Sequence, residues 1–332
     1  MTEYDILIKN AKIYEGTGKK PYKGSIGVKG DKVESLGAVT GDAEKTIDAK
    51  GLTAVPGFID AHSHADWSLL HFPDCQNYIM QGITTFVGGQ CGGSPAPLGE
   101  YVRTPRGLQD KIPDLDPFKF YQNQSYYPID QINEWMDQEY GWNLDWKTMA
   151  EYFKRVEKTG IAVNFAPLVG QGTVRTVVMG KDYKRHSTKE EWAQMRELIH
   201  QAMKDGCIGL STGLDYDPGV YAAHEEIIDS VSVLKEYGGV YCPHWRRTGR
   251  RRGVSAGHVP NEKITALMEC VDVWKKTGVR LHYAHMSTGW QMHPPAPDEL
   301  EYHNVKTTLD MISEDAKTDL DITWDAIPQL TR

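Results

Sequence analysis

The pattern of apolar and polar residues divides the chain near residue 55. Before this point, short β-rich runs such as 5–10 and 25–28 are separated by Gly, Asn and Asp turn residues. Beyond it, short apolar runs next to Gly or Pro alternate with amphipathic helical stretches, which is typical of β-α units and a parallel sheet. We therefore predict an α/β protein in which residues 1–55 are part of a small β-sandwich domain and residues 56–332 form an incomplete (β/α)8 barrel of the TIM type.

The barrel region contains seven predicted strands. They are 54–62, 83–88, 162–169, 208–212, 240–244, 279–285 and 322–326. The predicted helices between them are 146–158, 189–205, 224–237 and 261–277. An insertion at about 98–145, rich in aromatic residues, Pro and Asp, either shapes a binding mouth or is a surface loop without fixed structure.

A parallel β/α barrel closes with eight strands, so one strand is missing from this count. Only six residues follow the seventh predicted strand, too few for a helix and another strand. An open barrel leaves two strands with unpaired backbone edges and an exposed apolar interior. We therefore expect a second polypeptide to complete both the barrel and the β-sandwich, giving a hetero-oligomer. A truncated chain or an interrupted gene is the alternative.

Composition and charge exclude several classes of function. The chain has 40% hydrophobic and 25% charged residues, as ordinary soluble globular proteins do, and lacks the ~18 consecutive apolar residues of a membrane span. The net charge of −8 makes nucleic acid a poor partner, and the short basic run 246–252 is either a solvated loop or an anion-binding or partner-binding patch. The absence of a signal-peptide pattern and the unpatterned five cysteines predict a cytoplasmic protein.

Candidate metal ligands lie at the predicted carboxyl ends of four strands, where barrels build their active sites. His62 and His64 end the first strand, and alternate side chains of a strand share a face, so these two imidazoles can form half of a divalent-metal site. Cys91 follows the second strand among glycines, either as a thiolate ligand or as a small buried cysteine. His244 and His285 end the fifth and sixth strands. Each residue alone has a simpler explanation, but their coincidence at four strand ends favours a metal site.

Two more residues on these strands, Cys242 and His282, have side chains of the types that bind metals. Cys242 precedes His244 by two positions and faces the same side, so it is a weaker ligand candidate that packing explains better. His282 precedes His285 by three positions, and strand alternation places it on the opposite face.

The order and spacing of several motifs resemble the N-acyl-D-amino-acid deacylases (D-aminoacylases) of the amidohydrolase superfamily over nearly the whole chain. The stretches that carry this resemblance are 55–64, 81–91, 94–97, 164–170, 209–216 and 218–222, together with the strands that end at His244 and His285.

In that family, zinc is held by residues that correspond to His62, His64, Cys91, His244 and His285. The resemblance therefore implies one or two zinc ions, or another divalent metal, at these side chains. The cysteine has the bridging place that a carboxylated lysine takes in hydantoinases, and the segment 207–212 contains no lysine that could be carboxylated.

The resemblance implies hydrolysis of an amide C–N bond other than a peptide bond, with a catalytic aspartate at the end of strand eight as general base. Because the chain stops before that strand, we assign no catalytic residue, expect the aspartate on the partner polypeptide, and expect activity only in the complex. Hydrolysis of a cyclic amide and a non-catalytic metal-binding or scaffold subunit are the alternatives.

The substrate pocket departs from the family pattern. Gln171 stands where family members usually have a histidine, residues 247–250 replace an acidic stretch, and a lysine is missing near Ser287. Tyr216, Arg246 and Ser287 are candidate contacts to a small-molecule amide substrate, although each is equally explained as an ordinary residue at the barrel rim.

Overall fold

The computed structural model describes residues 2–103, 126–246, 260–286 and 322–326, and the single positions 299, 302, 303, 306 and 310. The chain forms two compact units, Met1–Phe58 and Ile59–Arg332. Among the helices in the described ranges, none has both the length and the hydropathy that a membrane span needs.

The first unit is a five-stranded sheet centred on β1 (Tyr4–Ile13). The other strands are β2 (Tyr22–Lys29), β3 (Lys32–Gly37), β4 (Ala43–Asp48) and β5 (Thr53–Ala54). β2 pairs with β1 and β3 in antiparallel fashion, whereas β4 and β5 run parallel to β1. Leu7, Ala11 and Ile13 of β1 are buried, while Val33 and Leu36 of β3 are exposed. The assignment of this unit to a β-sandwich stays a prediction.

The second unit contains nine strands in the described residues. They are β6 (Phe58–Asp60), β7 (Ile83–Gly88), β8 (Tyr101–Arg103), β9 (Tyr126–Pro128), β10 (Asn164–Gly170), β11 (Gly209–Gly213), β12 (Val240–His244), β13 (Arg280–Tyr283) and β14 (Ile322–Trp324). β8 and β9 form a small antiparallel ribbon inside the predicted insertion, of which residues 104–125 lie outside the described ranges.

The remaining seven strands form one curved sheet in the order β6-β7-β10-β11-β12-β13-β14. The pairs from β7 to β14 are parallel. This confirms the predicted α/β class and the seven barrel strands. The predicted strands 279–285 and 322–326 end earlier than expected, at Tyr283 and Trp324. The predicted strand 54–62 is interrupted between β5 and β6. Pro56 and Gly57 lie in this break, where proline has no backbone N–H to donate to a strand partner.

Seven helices occur in the described residues. They are α1 (Gln76–Ile79), α2 (Ile129–Tyr140), α3 (Met149–Thr159), α4 (Gln171–Met179), α5 (Lys189–Asp205), α6 (His224–Ser232) and α7 (Pro260–Thr277). Thr148 and Thr188 are the N-cap residues of α3 and α5, and each forms a capping box. The threonine side chain accepts a hydrogen bond from the third helical N–H, and the glutamate side chain at that position accepts one from the threonine N–H. These caps explain why α3 begins three residues after its predicted start and why α5 agrees with its prediction.

The main hydrophobic core lies between the sheet and the helices. Met195 and Ile199 of α5 are buried against the large core cluster, which includes Val169 and Tyr241 from the strands. A second, smaller cluster contains Leu168 of β10, Cys242 of β12 and Ala284, which directly follows β13. Because neighbouring residues of a strand point to opposite faces, this second cluster lies inside the curved sheet, beneath the carboxyl ends of the strands.

Candidate metal centre

Five side chains converge at the carboxyl edge of the seven-stranded sheet. The donor atoms of His62, His64 and Cys91 all lie within 4.8 Å of one another, and so do those of Cys91, His244 and His285. Two donor atoms that bind the same ion at about 2.0–2.3 Å can be separated by up to roughly this distance. Cys91 belongs to both groups, so the arrangement offers room for one ion in either group or for two ions on opposite sides of the thiolate.

The loop after β7 positions Cys91 through glycines that allow a close approach of the backbone. Gly89 has φ +68°, and a Cβ atom there would lie 1.9 Å from the carbonyl oxygen of Leu168 on β10. Gly92 has φ +73° and donates its N–H to Ser211 Oγ at 2.9 Å. A side chain at Gly89 would therefore push the loop away from β10 and move Cys91 out of the centre.

Two of the candidate ligands have a backbone conformation that non-glycine residues rarely adopt. Cys91 has φ +56° and His285 has φ +35°. Such left-handed residues cost of order 1–3 kcal/mol and persist where the surrounding structure holds them. Their coincidence in one group of candidate metal ligands is typical of a functional site.

The contacts of Cys91 favour its thiolate. Its Sγ lies 3.4 Å from His62 Nε2 and 3.5 Å from His285 Nε2. Burial acts to raise the pKa of Cys91, but hydrogen bonding and charge from His244, with further contributions from His285 and His62, outweigh burial and hold this pKa well below its usual value. The thiolate is the form of cysteine that binds metals, so these contacts favour the binding of a cation at Cys91.

Asp325 also belongs to this centre, although the sequence pattern did not predict it. It follows β14, and its Oδ2 atom lies 3.1 Å from His62 Nδ1. Burial lowers the pKa of His62, but the hydrogen bonds to Asp325 and Cys91 outweigh this effect and raise it to about 10. Burial likewise raises the pKa of Asp325, but the hydrogen bonds from His282 and His62 overcome it and lower this pKa below the ordinary value. The available signal was its position directly after the seventh strand, at the same edge as the ligands.

The expected orientation of His282 was wrong. His282 Nε2 lies 3.0 Å from Asp325 Oδ2, so this side chain faces the centre instead of the opposite side of the sheet. Strand alternation does not relate His282 to His285, because β13 ends at Tyr283 and His285 has a left-handed backbone. Cys242 belongs to neither group of candidate ligands in the described residues, and its Sγ contacts Gln90 Oε1 at 3.1 Å.

The three candidate substrate contacts have different surroundings. Tyr216 lies at the centre, where its hydroxyl donates to the Cys91 carbonyl oxygen at 2.8 Å and its ring centroid is 4.8 Å from that of His244. Arg246 donates from Nε to both carboxylate oxygens of Glu269, at 2.9 and 3.0 Å, and from its other nitrogens to the carbonyl oxygens of Val220 and Ala222. Ser287 lies outside the described residues.

These contacts predict that Arg246 stabilises the loop before α6. Arg246→Met is expected to reduce the free energy of unfolding by about 2–3 kcal/mol, because the partly buried Glu269 loses a charge-assisted partner. Chemical denaturation measures this loss. Arg196→Met is the matched control, since the more exposed Arg196–Asp229 pair should contribute less than about 1 kcal/mol. Unchanged stability together with a raised KM would instead indicate a substrate contact.

Comparison with known proteins identifies the class of protein that this fold and site define. Residues 45–239 match the model of the amidohydrolase family, so the chain belongs to the amidohydrolase family. It is 31% identical over 326 residues to D-aminoacylase of Alcaligenes xylosoxydans xylosoxydans, and this match covers 98% of this chain and 57% of that protein. It is also 31% identical over 316 residues to N-acyl-D-aspartate deacylase of the same organism, covering 95% and 54%.

The fold agrees with these relatives. A solved structure of D-aminoacylase, from work on its binuclear metal centre, matches with a TM-score of 0.77 and 28% identity, covering 98% of this chain and 59% of the other. The resemblance inferred from the sequence motifs is thus confirmed. The chain spans between half and two thirds of the length of these relatives.

Proposed function

We propose that this chain is the metal-binding subunit of an amidohydrolase that hydrolyses the amide bond of N-acyl-D-amino acids or closely related amides. The observation that carries the proposal is the convergence of four imidazoles on the Cys91 thiolate. The similarity to D-aminoacylase and N-acyl-D-aspartate deacylase supports the amide substrate class.

The donor set fits zinc. We assign His62, His64, Cys91, His244 and His285 as ligands of one or two zinc ions or of another divalent metal, because imidazole nitrogen and thiolate sulfur are the donors that zinc prefers. A bound divalent metal supplies Lewis-acid polarisation of the amide carbonyl and lowers the pKa of water. The low pKa of Cys91 reduces the cost of losing the thiol proton when a cation binds.

The general base is not assigned to this chain. Such a base needs a carboxylate oxygen that can reach the attacking water. Both oxygens of Asp325 already accept hydrogen bonds, from His62 and His282 at Oδ2 and from the His285 N–H at Oδ1. Asp325 therefore supports the ligands, and we propose that the catalytic aspartate comes from a second polypeptide.

The edges of the sheet support such a partner. β6 and β14 are the two edge strands, and Ile59 on β6 is 67% exposed while Trp324 on β14 is 45% exposed within the described residues. An eighth strand placed between these edges would close the barrel and cover both side chains. The exposed Val33 and Leu36 of the first unit are further apolar surface for the same polypeptide to cover.

The test combines composition with activity. Native mass spectrometry of the protein purified from its own source is expected to show a stable complex with a second, different chain. The zinc-loaded complex is expected to hydrolyse N-acetyl-D-amino acids while the isolated chain does not, because the proposed general base lies on the second polypeptide. Release of free amine is measured for N-acetyl-D-amino acids and N-acetyl-L-amino acids, whereas formation of the ring-opened N-carbamoyl amino acid is measured for hydantoin.

Each alternative has its own outcome in this assay. Hydrolysis of hydantoin but not of N-acetyl-D-amino acids would assign cyclic amides as substrates. A metal-loaded complex that hydrolyses neither class would indicate a non-catalytic subunit. Full activity of the isolated chain would refute the need for a partner.

A further inference from the structure

We propose that Asp325 is a positioning residue that holds the two candidate ligands His62 and His285 in register and determines which nitrogen of His62 faces Cys91. The inference rests on the proposed metal site and adds a residue to it. Asp325 directly follows β14, the edge strand of the sheet, whereas His62 follows β6 at the opposite edge.

The two ring nitrogens of His62 have different partners. Nδ1 lies 3.1 Å from Asp325 Oδ2, and Nε2 lies 3.4 Å from Cys91 Sγ. A carboxylate only accepts hydrogen bonds, so Nδ1 carries a proton. The neutral form of His62 then has its lone pair on Nε2, directed towards the thiolate and the cation site. Asp325 thereby selects the tautomer that can bind a metal through Nε2.

The second oxygen of Asp325 holds the strained turn that carries His285. Oδ1 accepts the His285 N–H at 2.7 Å. The backbone of Asp325 also forms hydrogen bonds with the residues that flank this turn. The Asp325 N–H donates to the Tyr283 carbonyl oxygen at 3.1 Å, and the Asp325 carbonyl oxygen accepts the Met286 N–H at 2.8 Å. These three hydrogen bonds account for the persistence of the left-handed backbone of His285.

His282 orients Asp325 in turn. His282 Nε2 donates to Asp325 Oδ2 at 3.0 Å, and its Nδ1 lies 2.7 Å from the Thr323 hydroxyl, which can donate to it. Thr323 lies on β14 and Asp325 directly follows this strand. A series of hydrogen bonds therefore connects the edge strand to the candidate ligands, through Thr323, His282, Asp325 and His62. The carboxylate receives three donors, and its rotamer is therefore defined.

An asparagine cannot replace this carboxylate. Asp325→Asn keeps the side-chain volume but offers one acceptor oxygen and an NH2 group. If the oxygen faces His62 and His282, the NH2 group meets the His285 N–H. If it faces the His285 N–H, the NH2 group requires Nδ1 of His62 to accept, which places the proton on Nε2 and blocks its use as a ligand.

The experiment measures zinc affinity of the full chain by competition with a chromophoric chelator. Asp325→Asn is expected to weaken zinc binding about 10–100-fold, as losses of hydrogen-bond partners of metal-binding histidines generally do. In the Co2+-loaded chain, the visible ligand-field bands should shift while the thiolate charge-transfer band remains, because Cys91 is unchanged. Asp48→Asn is the control; Asp48 also accepts two hydrogen bonds, from Asn10 and Lys50, but lies in the first unit.

A second pair of variants serves if Asp325→Asn does not fold. His282→Ala removes one donor and is expected to weaken zinc binding about tenfold, whereas His282→Gln can restore an N–H donor to Asp325 and should recover most of the loss. Zinc affinities of Asp325→Asn and His282→Ala within twofold of the unmodified chain would overturn the proposal and leave the metal site intact. An equal loss in Asp48→Asn would also overturn it. Absence of zinc binding by the unmodified chain would overturn the proposed metal site itself.

Discussion

Cys91→Ala is expected to reduce the affinity for zinc by more than about 100-fold and to leave less than one ion per chain after dialysis. Loss of a hydrogen bond behind a ligand already weakens metal binding 10–100-fold, and Cys91 is itself a proposed ligand. The effect should be larger than for any single histidine, because Cys91 is the donor common to both metal-binding groups. Metal content is measured by inductively coupled plasma mass spectrometry, and the variant should remain as soluble as the unmodified chain.

Cys207→Ala is the matched control for this experiment. Cys207 is also a buried free thiol, but it belongs to the large core cluster between the sheet and the helices, away from the metal-binding groups. Its replacement should leave the metal content unchanged. An unaltered zinc stoichiometry in Cys91→Ala would show that the thiolate is not a ligand.

The largest effect on stability is expected from Glu226→Ala. Glu226 on α6 and Arg175 on α4 form an ion pair in which both side chains are fully buried, and Gln171 and Ser187 also donate to the same carboxylate. Removing one member of such a pair leaves a buried charge without compensation, so the free energy of unfolding should fall by about 3–5 kcal/mol. Urea denaturation followed by circular dichroism measures this loss.

The double variant Arg175→Met with Glu226→Met separates the charge effect from the loss of volume. Apolar replacement of both partners removes the need to bury a charge, so this double variant should be more stable than Glu226→Ala. Gln171 still lies next to position 226 in this double variant, since it donates from Nε2 to Glu226 at 2.6 Å in the unmodified chain. If the double variant is no more stable than Glu226→Ala, the cost would come from packing alone.

The predictable part of the fold depends on local patterns. α5 was predicted with its observed bounds from its periodic apolar face, and the structure shows that a threonine cap and a glutamate three positions later fix its start. α4 was missed for an equally local reason. Its sequence contains Gly172, two threonines and three valines, and β-branched residues favour strands when considered without their packing.

The candidate site likewise contains residues that the sequence predicts and residues that it does not. The sequence placed His62, His64, Cys91, His244 and His285 together, because barrel strands present their carboxyl ends at one edge. It did not identify Asp325, since the resemblance places the catalytic carboxylate at the end of strand eight and not after the seventh strand. It also misjudged His282, because alternation holds only inside a strand and β13 ends before His285.

The sequence by itself determined the order of strands and helices, the α/β class and the residue types that could bind a metal. These properties follow from local periodicity, helix caps and the topology of parallel β/α units. Only the tertiary structure decided which atoms face one another. The contact between His62 and Asp325 joins residues 263 positions apart, and the left-handed backbones of Cys91 and His285 depend on packing against neighbouring strands. Interactions over such separations leave no periodic pattern in the chain, so they appear only when the folded strands bring their ends together.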